Sequence, residues 1–341
     1  MQDVQLTIVI PAYNASKYIS KTIGAIVAQT FTAWKLIIVN DCSQDDTKVI
    51  VEEWTKKDNR IHLVTNEQNL KVARSMNKGI GLVDTPFFAR VDSDDIPLPH
   101  HFEKIINLLN ANSGIAICGS QVITIDENGA FRRKWNYETD PDWIRMYAVF
   151  ACPFLQSSVV MRTEAIKDLG GYRPEKELVE DYELWIRALQ KYNAANIPDY
   201  TIQYRIHAAN MSETNKGKIL QMLQTLYMDN KDFYPVDTTH LALHARMEFG
   251  DWSALQGSEM SAMDRWRKQL ETINSQKKFY PSDQYKQVLL KYFTNAYLKI
   301  ATQNGGAMRL KALYKAFATS PVYFKEIWKR KKENAVNPID H

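Results

Sequence analysis

The sequence predicts an α/β protein, a mixed and mostly parallel sheet flanked by helices, with a helical extension at its C-terminal end. Three observations carry that reading. Short continuous apolar runs alternate with helical stripes through the first hundred residues, the pattern of a parallel sheet covered on both faces. Polar and acidic residues gather where those runs end, at the rim where open sheets bind ligands. Beyond about residue 215 the strand signals fade and helical stripes take over.

The elements follow in order. "LTIVI" (6–10) is a first strand stopped by Pro11, and Ile19, Ile23, Ile26 and Val27 line the next helix, with Ser16 as its expected cap. "KLIIV" (35–39) is the second strand, and Asp45 or Asp46 starts a helix bearing Val49, Ile50 and Trp54. "IHLV" (61–64) is a third strand, 71–82 a helix, and "FFARV" (87–91) a fourth strand before a helix lined by Phe102, Ile105, Ile106 and Leu109. "IAICGSQVITI" (115–125) with the "DENG" turn predicts a strand and hairpin, and "LQSSVVMR" (155–162) another strand. A short helix after Thr163 should end at the Gly170-Gly171 pair. Asp181 opens a helix with Trp185, Ala188, Leu189 and Tyr192 on one face, and 194–206 is extended. The predicted domains are 1–215 and a helical region 216–341, which includes a helix over 283–301.

The 341 residues, 45% of them hydrophobic, suffice for one large domain and a smaller one. The net charge of +4 hides an asymmetry, because residues 301–341 carry net +5 and the remainder net −1. No nucleic-acid partner is predicted. Attraction to anionic surfaces belongs in the tail, where "RLKALYKAF" (309–317) and "VYFKEIWKRKK" (322–332) mix apolar, aromatic and basic residues. Two readings stand for 309–332: docking on an anionic membrane surface, or a helix packed on the protein with a solvated basic end. The longest apolar stretch, "MYAVFACPFL" (146–155), is too short to span a bilayer, and the N-terminus has no basic leader region. Cys42, Cys118 and Cys152 form neither a disulfide framework nor a zinc pattern, so a cytoplasmic location is expected, peripheral at the inner membrane face if the tail docks.

The chemistry concentrates in "RVDSDDIPLP". Asp92, Asp94 and Asp95 fall within four residues and repel one another unless a cation or donor compensates. A turn or helix cap accounts for one or two of them. If strand geometry persists, Asp92 and Asp94 share one side, and such hard oxygen ligands suit Mg²⁺ or Mn²⁺. No G-x-x-x-x-G-K-[ST] loop occurs, no G-x-G-x-x-G follows the first strand, and "GIG" (79–81) is out of place. A divalent ion would then carry phosphates. His240 and His244 stand four apart without the Glu of a zinc motif, so no metal is assigned to them.

Several stretches together resemble one family. "TIVIPAYNASKYISKTIGAIVAQTF…KLIIVNDCSQDDT", "NLKVARSMNKGI", "RVDSDD", "SSVVMR…LGGY", "EDYELWIRAL" and "YRIHAANMS" stand in the order found in the family-2 glycosyltransferases of GT-A fold, over about 1–215. The resemblance implies inverting transfer of a sugar from a nucleotide diphosphate, commonly a UDP-sugar, onto a glycan or lipid-linked acceptor of the bacterial cell surface. It implies that Pro11, Tyr13 and Asp41 sit at the nucleotide base, with Arg74 near the base or phosphates. Asp92-Ser93-Asp94 matches the DxD motif, Asp92 toward the ribose and Asp94 on a Mn²⁺ or Mg²⁺ that His207 also approaches. Asp181 matches the catalytic base, and Glu180, Gln156 and Trp185 fall on the acceptor side. The chain departs from the pattern at Asn40, where relatives often have Asp, and at Gln156, where many have His. The Q-x-x-R-W motif of processive synthases is absent, which favours transfer of a single sugar. The alternatives are a nucleotidyltransferase, which normally has a Gly-rich basic loop where this chain reads "PAYNASKY", and a non-catalytic nucleotide-sugar-binding protein.

Overall fold

The computed structural model describes residues 3–249 and 257–336, which form two compact units. One comprises the chain up to Ile144 together with Pro153–Asn210, and the other Arg145–Cys152 together with the chain from Met211 onward.

The first unit begins with β1 (Leu6–Ala12), α1 (Ile19–Val27), β2 (Trp34–Asn40), α2 (Thr47–Lys57), β3 (Ile61–Thr65), α3 (Lys71–Ile80) and β4 (Phe87–Arg90). It continues with β5 (Ile96–Pro97), α4 (His101–Ala111), β6 (Ile115–Ile125), β7 (Phe131–Trp135) and α5 (Pro141–Tyr147), the last running into the second unit. Next come β8 (Val160–Arg162), α6 (Thr163–Asp168), α7 (Glu180–Lys191) and β9 (Asn193–Arg205). Among the described residues the strands form a single sheet in the order β3-β2-β1-β4-β8-β6-β9-β5, with β7 beside β6. The β3-β2-β1-β4 half is parallel, β8 joins it antiparallel to β4, and β9 runs parallel to β6.

Alternation along β1 explains how the sheet is covered. Leu6, Ile8 and Ile10 face one way and join Ile19, Ile23 and Ile26 of α1 and Phe102, Ile105, Ile106 and Leu109 of α4 in one core. Val9 faces the other way and, with Val39, meets α3 at Gly79, where a Cβ would stand 2.5 Å from Val9 Cγ1. The glycine of the out-of-place "GIG" therefore serves close helix–strand packing rather than phosphate binding.

One helix start differs from expectation, and at another, one of two candidate residues is used. The residue before α1 is Tyr18, without a side-chain cap, and the Ser16 N–H instead donates to Asp45 Oδ2 at 3.0 Å. Asp46 precedes α2, yet it is Asp45 Oδ1 that accepts from the Thr47 N–H at 3.0 Å. One aspartate thus ties the loops after β1 and β2 together, a long-range role that a local capping rule does not capture. The stretch read as a strand from 155 opens with a single 3₁₀ turn, Gln156–Ser158, before β8.

The second unit contains α8 (Met211–Thr214), α9 (Lys216–Asp229), α10 (Leu241–Phe249), α11 (Gly257–Lys277), α12 (Ser282–Gln303), α13 (Gly306–Thr319) and α14 (Pro321–Val336). The apolar stretch around 146–155 finds its use here, since Phe150 packs its ring against Tyr292, Tyr285, Trp266 and His244. The strand–helix pattern gives no sign that this short segment serves the helical unit.

Candidate active site

The site lies at the carboxyl rim of the first unit, where β1, β2 and β4 leave the core. The backbone is unusual at this rim: Asn14, Cys42 and Lys71 take φ of 48°, 60° and 67°, the left-handed region that residues other than glycine enter at a cost.

On the side expected to take the nucleotide, Tyr13 is 51% exposed just past β1, an aromatic face open to solvent. Asp41, just past β2, is buried. Its Oδ1 accepts from Asn66 Nδ2 and the Leu70 N–H, and its Oδ2 from the Lys71 N–H, each at 2.8 Å. Three donors hold this carboxylate in place, and the left-handed turn at Lys71 aims one of them. A further donor from a base edge would have to share Oδ2. Arg74 is exposed one turn into α3, and Pro11 is half-buried within β1.

The three aspartates after β4 have different environments. Asp92 accepts from Arg90 Nε at 2.8 Å, and its N–H donates to Ser157 Oγ at 3.0 Å. Ser93 lends its carbonyl to the Thr22 hydroxyl at 3.0 Å. Asp95 is fully buried and accepts from the Arg205 N–H at 3.0 Å, so it is a structural anchor rather than a ligand. Burial, with the charges of Asp94 and Asp92, holds its carboxyl well above the usual carboxylate range. Asp94 remains half-buried, with Oδ2 2.8 Å from His207 Nε2.

His207 arrives just past β9 on an independent scaffold. The buried Arg205 donates from Nε to the Asp94 carbonyl at 3.1 Å and lies over the Tyr18 ring at 4.7 Å, while His207 packs against the same ring at 5.1 Å. Asn210 fixes the turn, accepting from the His207 N–H at 2.6 Å. Among the described residues no group of three His, Cys, Asp or Glu side chains forms a closed metal site. An open pair of one carboxylate and one imidazole nonetheless suits Mn²⁺ or Mg²⁺, which are commonly held by one or two protein ligands and completed by substrate phosphates.

The opposite wall comes from α7 and the turn before it. Gly170 and Gly171 take φ of 74° and 71°, and Asn77 clasps Tyr172 through both amide atoms, accepting at 2.8 Å and donating at 2.7 Å. Tyr172 then lies beside Arg90, with the guanidinium 5.5 Å from its ring centre, and donates from its hydroxyl to Gln156 Oε1 at 3.0 Å. Arg90 reaches from Asp92 across to Glu180 Oε1 at 3.3 Å. Burial pushes the Glu180 carboxyl up to about 7, with Arg90 pulling it down and Asp181 pushing it further up. Asp181 sits in the first turn of α7, whose dipole favours a carboxylate. Burial raises its pKa, opposed by Arg90 and by the Tyr182 N–H that bonds Oδ1 at 2.7 Å.

The residues expected on the acceptor side are all buried. Trp185 is fully buried and packs edge-on against Phe154, so it is core and not a sugar platform. Gln156 and Glu180 are buried as well, one bonded to Tyr172 and the other to Arg90. Sequence reasoning passed over Arg90, Tyr172 and Arg205. The signal was present for Arg90, since a cation inside the apolar run "FFARV" has to find buried acceptors.

Residues 7–166 match the family model for glycosyl transferase family 2. An uncharacterized glycosyltransferase of Haemophilus influenzae is 29% identical, covering 67% of this chain and 74% of its own. The UDP-Glc:alpha-D-GlcNAc-diphosphoundecaprenol beta-1,3-glucosyltransferase WfgD of Escherichia coli is also 29% identical, over 65% of this chain and 84% of its own. Among solved structures, S. aureus TarS 1-349 in complex with UDP superposes with a TM-score of 0.55 at 15% identity, covering 96% of this chain and 91% of TarS 1-349. The mannosyltransferase PcManGT from Pyrobaculum calidifontis, in complex with GDP-Man and Mn2+, gives 0.56 at 15% identity, over 93% and 88% of the two chains.

Proposed function

We propose, from the match of residues 7–166 to the family-2 glycosyl transferase model and from the GT-A fold, that the chain moves one sugar from a nucleotide-diphosphate donor, a UDP-sugar, to a hydroxyl of a glycan or lipid-linked acceptor, with inversion and with a divalent metal. The observation that carries the reading is the bridge at Arg90. It joins Asp92, in the motif expected to hold the donor, to Glu180, which lies beside the expected base and 90 positions from Arg90 in sequence.

In this reading Tyr13 stacks on the base, Asp41 meets its edge, Arg74 stands near the base or phosphates, and Asp92 takes the ribose. Asp94 and His207 would hold Mn²⁺ or Mg²⁺, which would supply Lewis-acid stabilisation of the diphosphate. Asp181 takes the acceptor proton; Oδ1 is occupied by the Tyr182 N–H, so Oδ2 is the receiving atom. The new bond from the acceptor oxygen forms on the face of the anomeric carbon opposite the departing diphosphate oxygen, and the configuration inverts. WfgD, by its name, uses UDP-Glc and a diphosphoundecaprenol-linked acceptor, which supports a donor and acceptor of that kind here.

The test is a panel of nucleotide sugars screened for thermal stabilisation with and without Mn²⁺, followed by transfer assays on the donors that stabilise. We expect stabilisation that depends on Mn²⁺ and is lost in Asp94→Ala, which should keep the unliganded melting temperature because the residue lies at the rim. Undiminished transfer by Asp94→Ala, or in EDTA, would sink the metal assignment.

A further inference from the structure

Helix α13 reverses the usual arrangement of an amphipathic surface helix. Its inward face carries the small Ala312 and Ala316, both fully buried, while Leu310, Tyr314 and Phe317, at spacings of four and three, are 69%, 71% and 47% exposed. The neighbouring Val322 at the start of α14 is 72% exposed. A helix stabilised only by packing on α12 would turn its largest apolar side chains inward. The helix contains Arg309, Lys311 and Lys315 and no acidic residue, and Arg309 and Lys311 flank the apolar stripe at about 100° on either side. Lys315 is engaged by Asp264, and Arg309 and Lys311 are exposed. Aromatic packing continues from Phe317 to Phe324 and on to Trp328, and the sequence then runs Lys329-Arg330-Lys331-Lys332.

We propose that the outward face of α13, with the basic stretch of α14, docks the protein on an anionic lipid surface. An apolar stripe rimmed by cations matches acyl chains beneath phosphate headgroups. The charge pattern argues against a second copy of the chain as the occupant, since two such faces would bring like charges together around the stripe. The inference is independent of the reaction chemistry.

Co-sedimentation of the full chain with vesicles of phosphatidylcholine alone, and with phosphatidylglycerol in equal parts, tests it. Binding should require phosphatidylglycerol and weaken with salt. It should drop roughly tenfold or more in Arg309→Gln/Lys311→Gln and disappear in Leu310→Gln/Tyr314→Gln/Phe317→Gln. Leu310 and Tyr314 are 69% and 71% exposed, so a Leu310→Gln/Tyr314→Gln variant, which keeps the packing of Phe317 on Phe324, should also lose binding while melting like wild type. Absence of wild-type binding at low salt, or equal binding by the triple variant, would overturn the proposal. So would a concentration-dependent dimer, measured by light scattering, that the triple variant abolishes.

Discussion

At the scale of residues, Arg90 organises the site, because a buried guanidinium must be matched by carboxylates and here they come from both walls. Arg90→Met leaves Glu180 and Asp92 uncompensated and should destabilise the first unit by about 3–5 kcal/mol, as breaking a buried ion pair does. Denaturant titration would measure the loss. Arg90→Lys keeps the charge, should recover most of the stability, and gives up the two-sided reach of the fork. If Arg90→Met melts like wild type, the bridge is not what joins the walls. The pH profile follows from the same group of charges. Because burial sets the Glu180 carboxyl near 7, its protonation as the pH falls leaves Arg90 with one fewer charged partner. Transfer should decline below about pH 7, and Glu180→Gln should shift that limb; a rate flat from pH 7 to 5 in wild type would contradict it. The acidic motif was legible from sequence because three adjacent carboxylates demand compensation. The roles of its members were not, since Asp95 differs from Asp94 only in burial, which tertiary packing decides.

At the scale of elements, apolar runs and stripes placed the sheet's strands and α1 through α4 within a few residues, because both faces of that half are covered and periodicity alone reports it. The short strand β5 and the service of 145–152 to the helical unit depend on long-range partners and left no periodic trace. Gly79 shows how packing overrides motif. Gly79→Ala pushes a methyl into Val9 and should cost about 1–3 kcal/mol despite the better helix propensity of alanine. An unchanged or raised melting temperature would mean that α3 shifts freely on β1. In the helical unit, His244 is buried, stacked on Tyr227 with ring centres 3.7 Å apart and tilted against Trp266 at 4.7 Å. Burial lowers its pKa to about 3. Its folded pKa lies below the unfolded value of about 6.5, so its contribution is complete above that pH and drains away as the pH falls toward about 3. At pH 5 the loss should be about 2 kcal/mol relative to pH 7.5, and His244→Phe should remove that dependence. An equally acid-sensitive His244→Phe protein would place the effect elsewhere, for instance at His101, which burial also lowers to about 3.

At the scale of the whole molecule, charge is distributed unevenly: residues 301–341 carry net +5 and the remainder net −1. No helix among the described residues is long and apolar enough to cross a membrane. The charge asymmetry was visible in the sequence, but which face of α13 turns outward was not, because its stripe reads equally well as a buried one. The central claim is that Asp181 removes the acceptor proton in a single inverting displacement. Turnover of Asp181→Asn, measured beside wild type with the anomeric configuration of the product read by NMR, tests it most directly. The asparagine keeps the side chain's size and its bond from the Tyr182 N–H but cannot take a proton. Turnover should fall by about 10²-fold or more with donor affinity unchanged, and the wild-type product should carry the configuration opposite to that of the donor. Near-normal turnover by Asp181→Asn, or a product that retains the donor's configuration, would contradict the account.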